Sequence, residues 1–494
     1  MRLPFDVQFM RGAILEALPD TDQASAEPNL EPGFSYVPQS HALALDPDIS
    51  IVSGIRGSGK SFWWTYLDSP KHQAYLAKAF PEIGQIGENI ITKGFGGSPL
   101  DSFPSQDAIG RLVKKKFEPR YIWRSVIGTN LSLPHPFPMQ QNVWEVKAQW
   151  IRDNPELFDG ALREKDKKLR DEGKKALILF DALDRMAEDW QSIRPIVRAL
   201  FQMALEIRSY TNIRIKLFVR PDMLEDEKIT SFPDASKLLS KTIVLTWRRA
   251  DLYALLFQRL GNAPQNGDRF RQNSDKEFNL SWRLIKKSES WVLPQELRYD
   301  EDRQKMLFHA IAGPTMARGE SGHKRGIPYT WLVNHLMDGR EQVSPRSLFA
   351  ALREAAQNAH DKTWGYALDP RSIQEGVAKA SEVRKNEVVL EDYPWVPVLM
   401  KPLGDRRLII PCEASDMISV WLESKAIEKL KNRTGRQEAV KLPPRHLEDG
   451  PEGILEDLKE LGIVARLSDG RVQMPDVYRI AFGLGRKGGV KPLK

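Results

Sequence analysis

Cysteine is almost missing from this sequence, and long hydrophobic runs are missing altogether. Cys412 is the single thiol among 494 residues, which excludes an internal disulfide and any multi-cysteine zinc site. No apolar run reaches the ~18 residues needed to span a bilayer. The amino-terminal stretch MRLPFDVQFMRGAILEAL is interrupted by Arg11 before a secretory core develops, so the expectation is a soluble, cytoplasmic chain without membrane attachment. The eight histidines are scattered. None has carboxylates at metal-ligand spacing, and no nuclease, protease or deaminase constellation is visible. An excess of one charge is lacking too: 73 basic and 66 acidic side chains leave +7 over a large surface, which does not by itself indicate nucleic acid.

What is present is concentrated in SIVSGIRGSGKSFWWTYL, Ser50 to Leu67. Gly54, four residues, then Gly59, Lys60 and Ser61 make the phosphate-loop pattern G-x-x-x-x-G-K-[ST]. A chain of this length shows that pattern by accident roughly 2% of the time. Ile49, Ile51 and Val52 form a β-branched run ahead of it, and Phe62 to Leu67 continues as a packed helix, giving the strand, loop and helix that phosphate binding requires. Gly54, Gly57 and Gly59, with Arg56 and Ser58 between them, would curl the backbone around phosphate oxygens, and the start of the helix adds a positive dipole end. Lys60 would reach the β- and γ-phosphates, and the Ser61 hydroxyl would be a ligand of Mg²⁺. Trp63 and Trp64 read as core packing rather than base stacking, because Phe62 with Tyr66 and Trp63 with Leu67 are spaced i, i+4.

A second motif lies at ALILF, Ala176 to Phe180, followed by Asp181, Ala182, Leu183, Asp184 and Arg185. A buried strand ending in aspartate places a carboxylate beside Mg²⁺ at the carboxyl edge of a sheet. Asp181 fits the metal position, through a bound water, and Asp184 the role of orienting or deprotonating the attacking water. A helical stripe follows at Ile193, Ile196, Val197, Leu200, Phe201, Ala204 and Leu205. Another strand, Ile213 to Val219, ends at Arg220, Pro221 and Asp222, and Ile243 to Leu245 makes a further short one. Arg220 could sense a γ-phosphate there, with a surface salt bridge as the competing reading. Ahead of ALILF, the mixed-charge segment Ala161 to Lys175 reads as a solvated helix.

From Asp251 the pattern turns helical: DLYALLFQRL, DRQKMLFHAIAG, YTWLVNHL and SPRSLFAALREAA. Ser344 would cap the last helix with Pro345 in its first turn, and Arg346 would reach the phosphates or simply stand in solvent. Residues Gly453 to Phe482 read as helix, strand, Ser468-Asp469-Gly470 turn, strand and helix, the outline of a winged helix. Its first helix carries Glu452, Glu456, Asp457, Lys459 and Glu460, a mainly acidic face that phosphate would repel. A protein-binding or intramolecular docking role is therefore expected, the basic tail of Arg486, Lys487, Lys491 and Lys494 being the remaining argument for nucleic acid, although a solvated tail explains those charges as well.

The fold expected is α/β: a P-loop parallel-sheet NTPase core with a helical lid and a C-terminal winged-helix-like domain. The expected division runs 1–45 arm and linker, with five prolines between Pro19 and Pro47, 46–250 P-loop core, 251–370 helical lid, 371–440 helical connector and 441–494 winged-helix-like domain. In its motifs GIRGSGKS, ALILFDALDR and IKLFVRPD, over about residues 46 to 360, the chain resembles AAA+ ATPases, particularly their STAND branch of signalling switches. The resemblance implies ATP and Mg²⁺, Lys60 and Ser61 on phosphate and metal, Asp181 and Asp184 in hydrolysis, and Arg220 as sensor. Ala182 and Arg185 depart from the acidic residue many members carry after the strand aspartate, so slow hydrolysis is expected. No N-K-x-D signature is present, which favours ATP over GTP. Arg318, Arg325 and Arg340 are candidate arginine fingers acting in trans, and a homo-oligomer is a corresponding expectation. The function implied is an ATP-dependent switch with a separate protein partner or effector, as in bacterial signalling or antiphage defence. The alternatives are a DNA-associated motor or loader using the winged helix, and a nucleotide-binding scaffold without turnover.

Overall fold

A computed structural model describes residues 4–20, 31–83, 89–139, 143–187, 190–358, 360, 363–387, 393–435 and 443–487. Two compact units divide the chain: a core unit, Val37–Thr246, and a helical unit made of Met1–Tyr36 with Trp247–Lys494.

The core unit is organised by strands β1 (Ile51–Ser53), β2 (Ile90–Phe95), β3 (Ala176–Phe180), β4 (Ile213–Val219) and β5 (Ile243–Val244). They form one sheet in the order β2-β3-β4-β1-β5, and every pair is parallel. Parallel strands covered by helices on both faces lose their alternation and become apolar throughout, as β1 and β3 do: all their residues are buried. The register joins Ile51 to Leu217 and Leu217 to Phe180, so β3, β4 and β1 end side by side. Helix Trp190–Ile207 buries the expected stripe apart from the half-buried Leu205. Trp123, fully buried, meets Phe180 edge-on at 5.7 Å and donates to the Ile196 carbonyl at 2.9 Å.

Between β2 and β3 the chain inserts helices Gln106–Lys114, Pro119–Asn130, Trp144–Asp153 and Pro155–Asp171. The segment expected as a solvated helix belongs to the last of these and is only partly solvated. Leu162, Asp166 and Leu169 are buried, and the Asp166 carboxylate accepts from the backbone N–H groups of Thr211 and Asn212 at 3.2 and 2.6 Å. That carboxylate fixes the approach to β4.

The stretch 19–48, expected as an extended arm, instead contains a 3₁₀ turn at Pro32–Phe34 and helix Gln39–Leu45; Pro28 lies outside the described residues. The helix is tied to β4 by Lys216, whose buried ammonium donates to the carbonyls of Ala44, Asp46 and Ile49 at 2.6, 2.8 and 2.6 Å. A lysine at a helix C-terminus satisfies carbonyls that have no partner within the helix.

In the helical unit, Val7–Ala17 is a capped helix, Asp6 accepting from the Phe9 N–H at 2.8 Å. The four helices expected after Asp251 occur at Arg249–Gly261, Glu301–Ala312, Pro328–Leu336 and Pro345–Gln357, with a hairpin of β6 (Arg283–Ile285) and β7 (Ser290–Val292) between the first two. Ser344 caps the last as anticipated, accepting from the Ser347 N–H. Helix Pro370–Lys385 crosses it so closely that a Cβ on Gly376 would lie 2.1 Å from the Ala351 carbonyl oxygen.

Beyond that pair, β8 (Ile409–Ile410), helix Gly450–Glu460, β9 (Ala465–Arg466), β10 (Val472–Gln473), helix Asp476–Ala481 and β11 (Gly485–Arg486) follow. β9 and β10 are antiparallel, and β11 pairs in parallel with β8. This is the winged-helix-like order expected, and the fold class read from sequence is the one observed. One apolar core runs from Trp395 to Leu484, so the division expected at 440/441 passes through a shared core. The acidic face of its helix is largely matched by partners: Glu452 pairs with Arg466 at 2.8 Å, Glu456 with Lys459 at 2.7 Å and Glu460 with Arg445 at 3.6 Å. Of the basic tail, Arg486 pairs with Asp476 at 2.8 Å, while Lys491 and Lys494 lie outside the described residues.

Burial pushes Lys216 down to about 7 from its usual 10.5, against the pull of Asp46 and Asp48. Between those values the unfolded chain binds more protons than the folded one, so the Lys216 contribution to stability rises with pH across that window. Lys216→Met should flatten this rise, read as the difference between variant and wild type in denaturant unfolding at about pH 7 and about pH 10; parallel pH profiles would contradict it.

Candidate functional site

Three neighbouring strands deliver three chemical groups to one sheet edge. β1 leads into Gly54, β3 into Asp181 and β4 into Arg220. The Gly54 N–H still bonds the Val219 carbonyl at 3.2 Å, holding the loop to the sheet where it departs. Gly57 and Gly59 then take φ of 75° and 107°. Left-handed glycines alternating with ordinary residues turn successive N–H groups toward one side, a geometry that receives anions. Gly54 is needed for another reason: a Cβ there would stand 2.3 Å from the Ser58 hydroxyl. Helix Lys60–Tyr66 follows directly, with Trp63 and Trp64 buried in the core as expected.

Lys60 bends back over the loop and donates to the carbonyls of Gly54 and Ile55 at 2.5 and 2.9 Å. Burial lowers it to about 8, with Asp181 and Asp184 opposing. The Asp181 carboxyl is buried and raised above its usual range by that burial, while a hydrogen bond with Ser61 and the charge of Lys60 pull it back. Ser61 and Asp181 are thus a bonded oxygen pair of the kind a hard divalent cation takes. Directly after Asp181, Ala182 sits at φ 54° and ψ 37°, a left-handed conformation that strains a residue with a Cβ.

Asp184, Arg220 and Asp222 form the most tightly bonded group. The buried Arg220 guanidinium donates from Nε and Nη2 to the two Asp222 oxygens at 3.0 and 2.8 Å, and from Nη1 to Asp184 Oδ2 at 3.0 Å. Arg56 Nη2 approaches the same Asp184 oxygen at 3.8 Å. Arg220 is therefore no surface salt bridge; it is buried between two carboxylates. Asp222 carries no role in the motif pattern, although its position two residues after Arg220, in the first turn of helix Pro221–Glu225, is a usable signal. His41 was missed as well. It lies fully buried against the loop helix, its Nδ1 accepting from Trp63 Nε1 at 3.0 Å, and burial pushes it down to about 3. No local pattern marks it.

Gly54, Arg56, Gly57, Ser58, Gly59, Lys60, Ser61, Asp181, Asp184 and Arg220 are all in the core unit. Arg346 belongs to the helical unit, where its guanidinium is bonded to Glu387. Of the candidate fingers, Arg340 donates through Nε to the Glu460 carbonyl at 2.8 Å and Arg318 to the Thr363 hydroxyl at 2.5 Å; Arg325 is exposed. Among the described residues, ligand atoms of His446, Asp457 and Glu460 lie within 4.8 Å of one another. Asp457 already accepts from His446 Nδ1 at 2.7 Å.

No protein-family model matches the sequence, and no curated relative matches it. Among solved structures, the chain is similar to the Aeropyrum pernix ORC2 protein in its ADPNP-ADP complexes, at 13% identity and a TM-score of 0.37, with 91% of this chain and 95% of that one covered. It is also similar to Cdc6p from Pyrobaculum aerophilum, at 11% identity and a TM-score of 0.30, with 91% and 96% covered. These likenesses are distant, and the site above stands on its own geometry.

Removing the shared cation of a buried ionic group leaves its carboxylates uncompensated. Arg220→Ala is expected to destabilise the core unit by about 3 kcal/mol in chemical denaturation; a change below about 1 kcal/mol would mean that solvent screens the group.

Proposed function

We propose that this protein is an ATP-binding and ATP-hydrolysing switch of the AAA+ class. The observation that carries the reading is the convergence of the Gly54–Ser61 loop, Asp181, Asp184 and Arg220 at the ends of three adjacent parallel strands, where an open α/β sheet binds its ligand. The cradle fits a polyphosphate: glycines stand where a Cβ would be strained or collide, and an ammonium lies within reach of the loop. In this reading the N–H groups of Gly57 to Lys60 and the Lys60 ammonium hold the phosphates, while Ser61 and Asp181 hold Mg²⁺. Bound there, Mg²⁺ would neutralise charge on the phosphoryl oxygens. Asp184 orients and deprotonates the attacking water, and Arg220 stabilises charge on the terminal phosphate.

Pairing of the acidic helix with Lys459 and Arg466 neutralises the face that would repel phosphate, so the switch reading rests on the sequence resemblance. A separate effector, the STAND branch and a role in signalling or antiphage defence follow from the sequence resemblance alone. The DNA-associated motor is the second reading, favoured by the wing itself, the antiparallel β9 and β10 around the Ser468–Gly470 turn.

Phosphate release by the purified protein with Mg²⁺, compared with Lys60→Ala and Asp181→Ala, tests the proposal: both variants should lose at least about tenfold in rate, as removal of a group that acts on the transition state does. Stimulation by DNA that weakens as salt rises would place the motor ahead of the switch. Tight ATP binding without any turnover would leave the scaffold reading.

A further inference from the structure

We propose that Arg56, inside the phosphate loop, senses the γ-phosphate by exchanging partners with Asp184, and that Asp222 is the positioning residue that keeps Arg220 in place during the exchange. The inference rests on the ATP-binding reading above and concerns what that site recognises.

Two guanidiniums converge on one carboxylate oxygen. Asp184 Oδ2 accepts from Arg220 Nη1 at 3.0 Å and pairs with Arg56 Nη2 at 3.8 Å. The side chains of Arg56, Asp184 and Arg220 are 20%, 13% and 8% exposed, so solvent screens these charges little. A carboxylate so paired is a poorer base, since its charge is shared between two cations.

The two arginines are held differently. Asp222 occupies Nε and Nη2 of Arg220 with both its oxygens, fixing the planar fork along one edge. Only the Nη1 side faces Asp184, so Arg220 can change acceptors at that atom without moving. Arg56 stands between Gly54 and Gly57, on the loop that would wrap the phosphates, and its pairing with Asp184 is the longer one. It is the cation a new anion in the cradle would take first.

Charge balance gives the exchange its selectivity. Lys60, Arg56 and Arg220 stand against Asp181, Asp184 and Asp222 in this cluster, an even match of positive and negative groups. A γ-phosphate adds negative charge that a diphosphate does not bring to this end of the site, and Arg56, drawn from Asp184, is the cation that meets it. Withdrawal of Arg56, together with a change of acceptor at Arg220 Nη1, uncovers the Asp184 carboxylate, so that hydrolytic competence arises only when the triphosphate is present.

Equilibrium titration with fluorescent methylanthraniloyl-ATP and methylanthraniloyl-ADP, in Mg²⁺, tests this without relying on turnover. The set is wild type, Arg56→Ala, Asp184→Asn, Asp222→Asn and the Arg56→Ala/Asp184→Asn pair. Arg56→Ala should weaken ATP about tenfold and leave ADP within about twofold, the ADP value also showing that the loop is folded. Asp184→Asn should tighten ATP about fivefold, and that gain should disappear in the double variant, the signature of coupled residues. Asp222→Asn should weaken ATP with little effect on ADP. An undiminished gain from Asp184→Asn in the Arg56→Ala background would overturn the proposal, because it would report simple repulsion between carboxylate and phosphate. Equal losses of ATP and ADP in Arg56→Ala would overturn it as well. Should wild type bind neither nucleotide, the ATP-binding reading falls and this inference falls with it; binding of both with no coupling removes this inference alone.

Discussion

Parallel pairing of β4 with both β3 and β1 is the constraint on which the site depends. Parallel strands in consecutive register end at the same edge, and the three residues that follow them are then forced together regardless of their distance in sequence. What they bring is charge, and most of it is buried. Ionised groups in a low-dielectric setting persist only when they compensate one another. The ion pairs of Arg220 with Asp184 and Asp222, the bond of Ser61 with Asp181 and the folding back of Lys60 onto its own loop are therefore consequences of the pairing.

The core and the strand, glycine loop and helix at Ile51–Tyr66 were legible because their signals are local. The glycine pattern and the apolar run before it are a few residues long, and the fully apolar β3 could belong only to a sheet covered on both faces. Helices after Asp251 were legible for the same reason, down to the Ser344 cap. The partners of each charge were not. Asp222 is two residues from Arg220, yet nothing in the sequence says that the arginine fork lies along that carboxylate. Asp184 and Arg56 are far apart in the chain and meet only through the sheet. His41 and Lys216 were invisible for another reason: a single polar residue among apolar ones carries no period, and its role is set by whatever carbonyl or ring the fold places opposite.

The boundaries expected between domains were drawn from changes in sequence character, whereas packing follows burial. The amino-terminal helix belongs with residues from Trp247 onward, where Arg353 donates to the Leu15 and Leu18 carbonyls at its end at 2.6 and 2.9 Å. The region from Trp395 to Leu484 closes around Trp421, whose indole N–H bonds the Leu399 carbonyl at 2.9 Å. Apolar residues from both sides of the boundary expected at 440/441 enter that one core.

The crossing at Gly376 has a mechanical consequence. With no side chain between the Gly376 backbone and the Ala351 carbonyl, helices Pro345–Gln357 and Pro370–Lys385 meet backbone to backbone, and neither can slide or roll without driving the other. Small residues that let helices approach this closely remove the soft layer through which packed elements usually shear. At that crossing the two helices have no side-chain layer along which to shear. Near the end of the second helix, Arg384 adds a buried pair with Asp338 at 3.2 Å, which ties it to the loop that leads into the first.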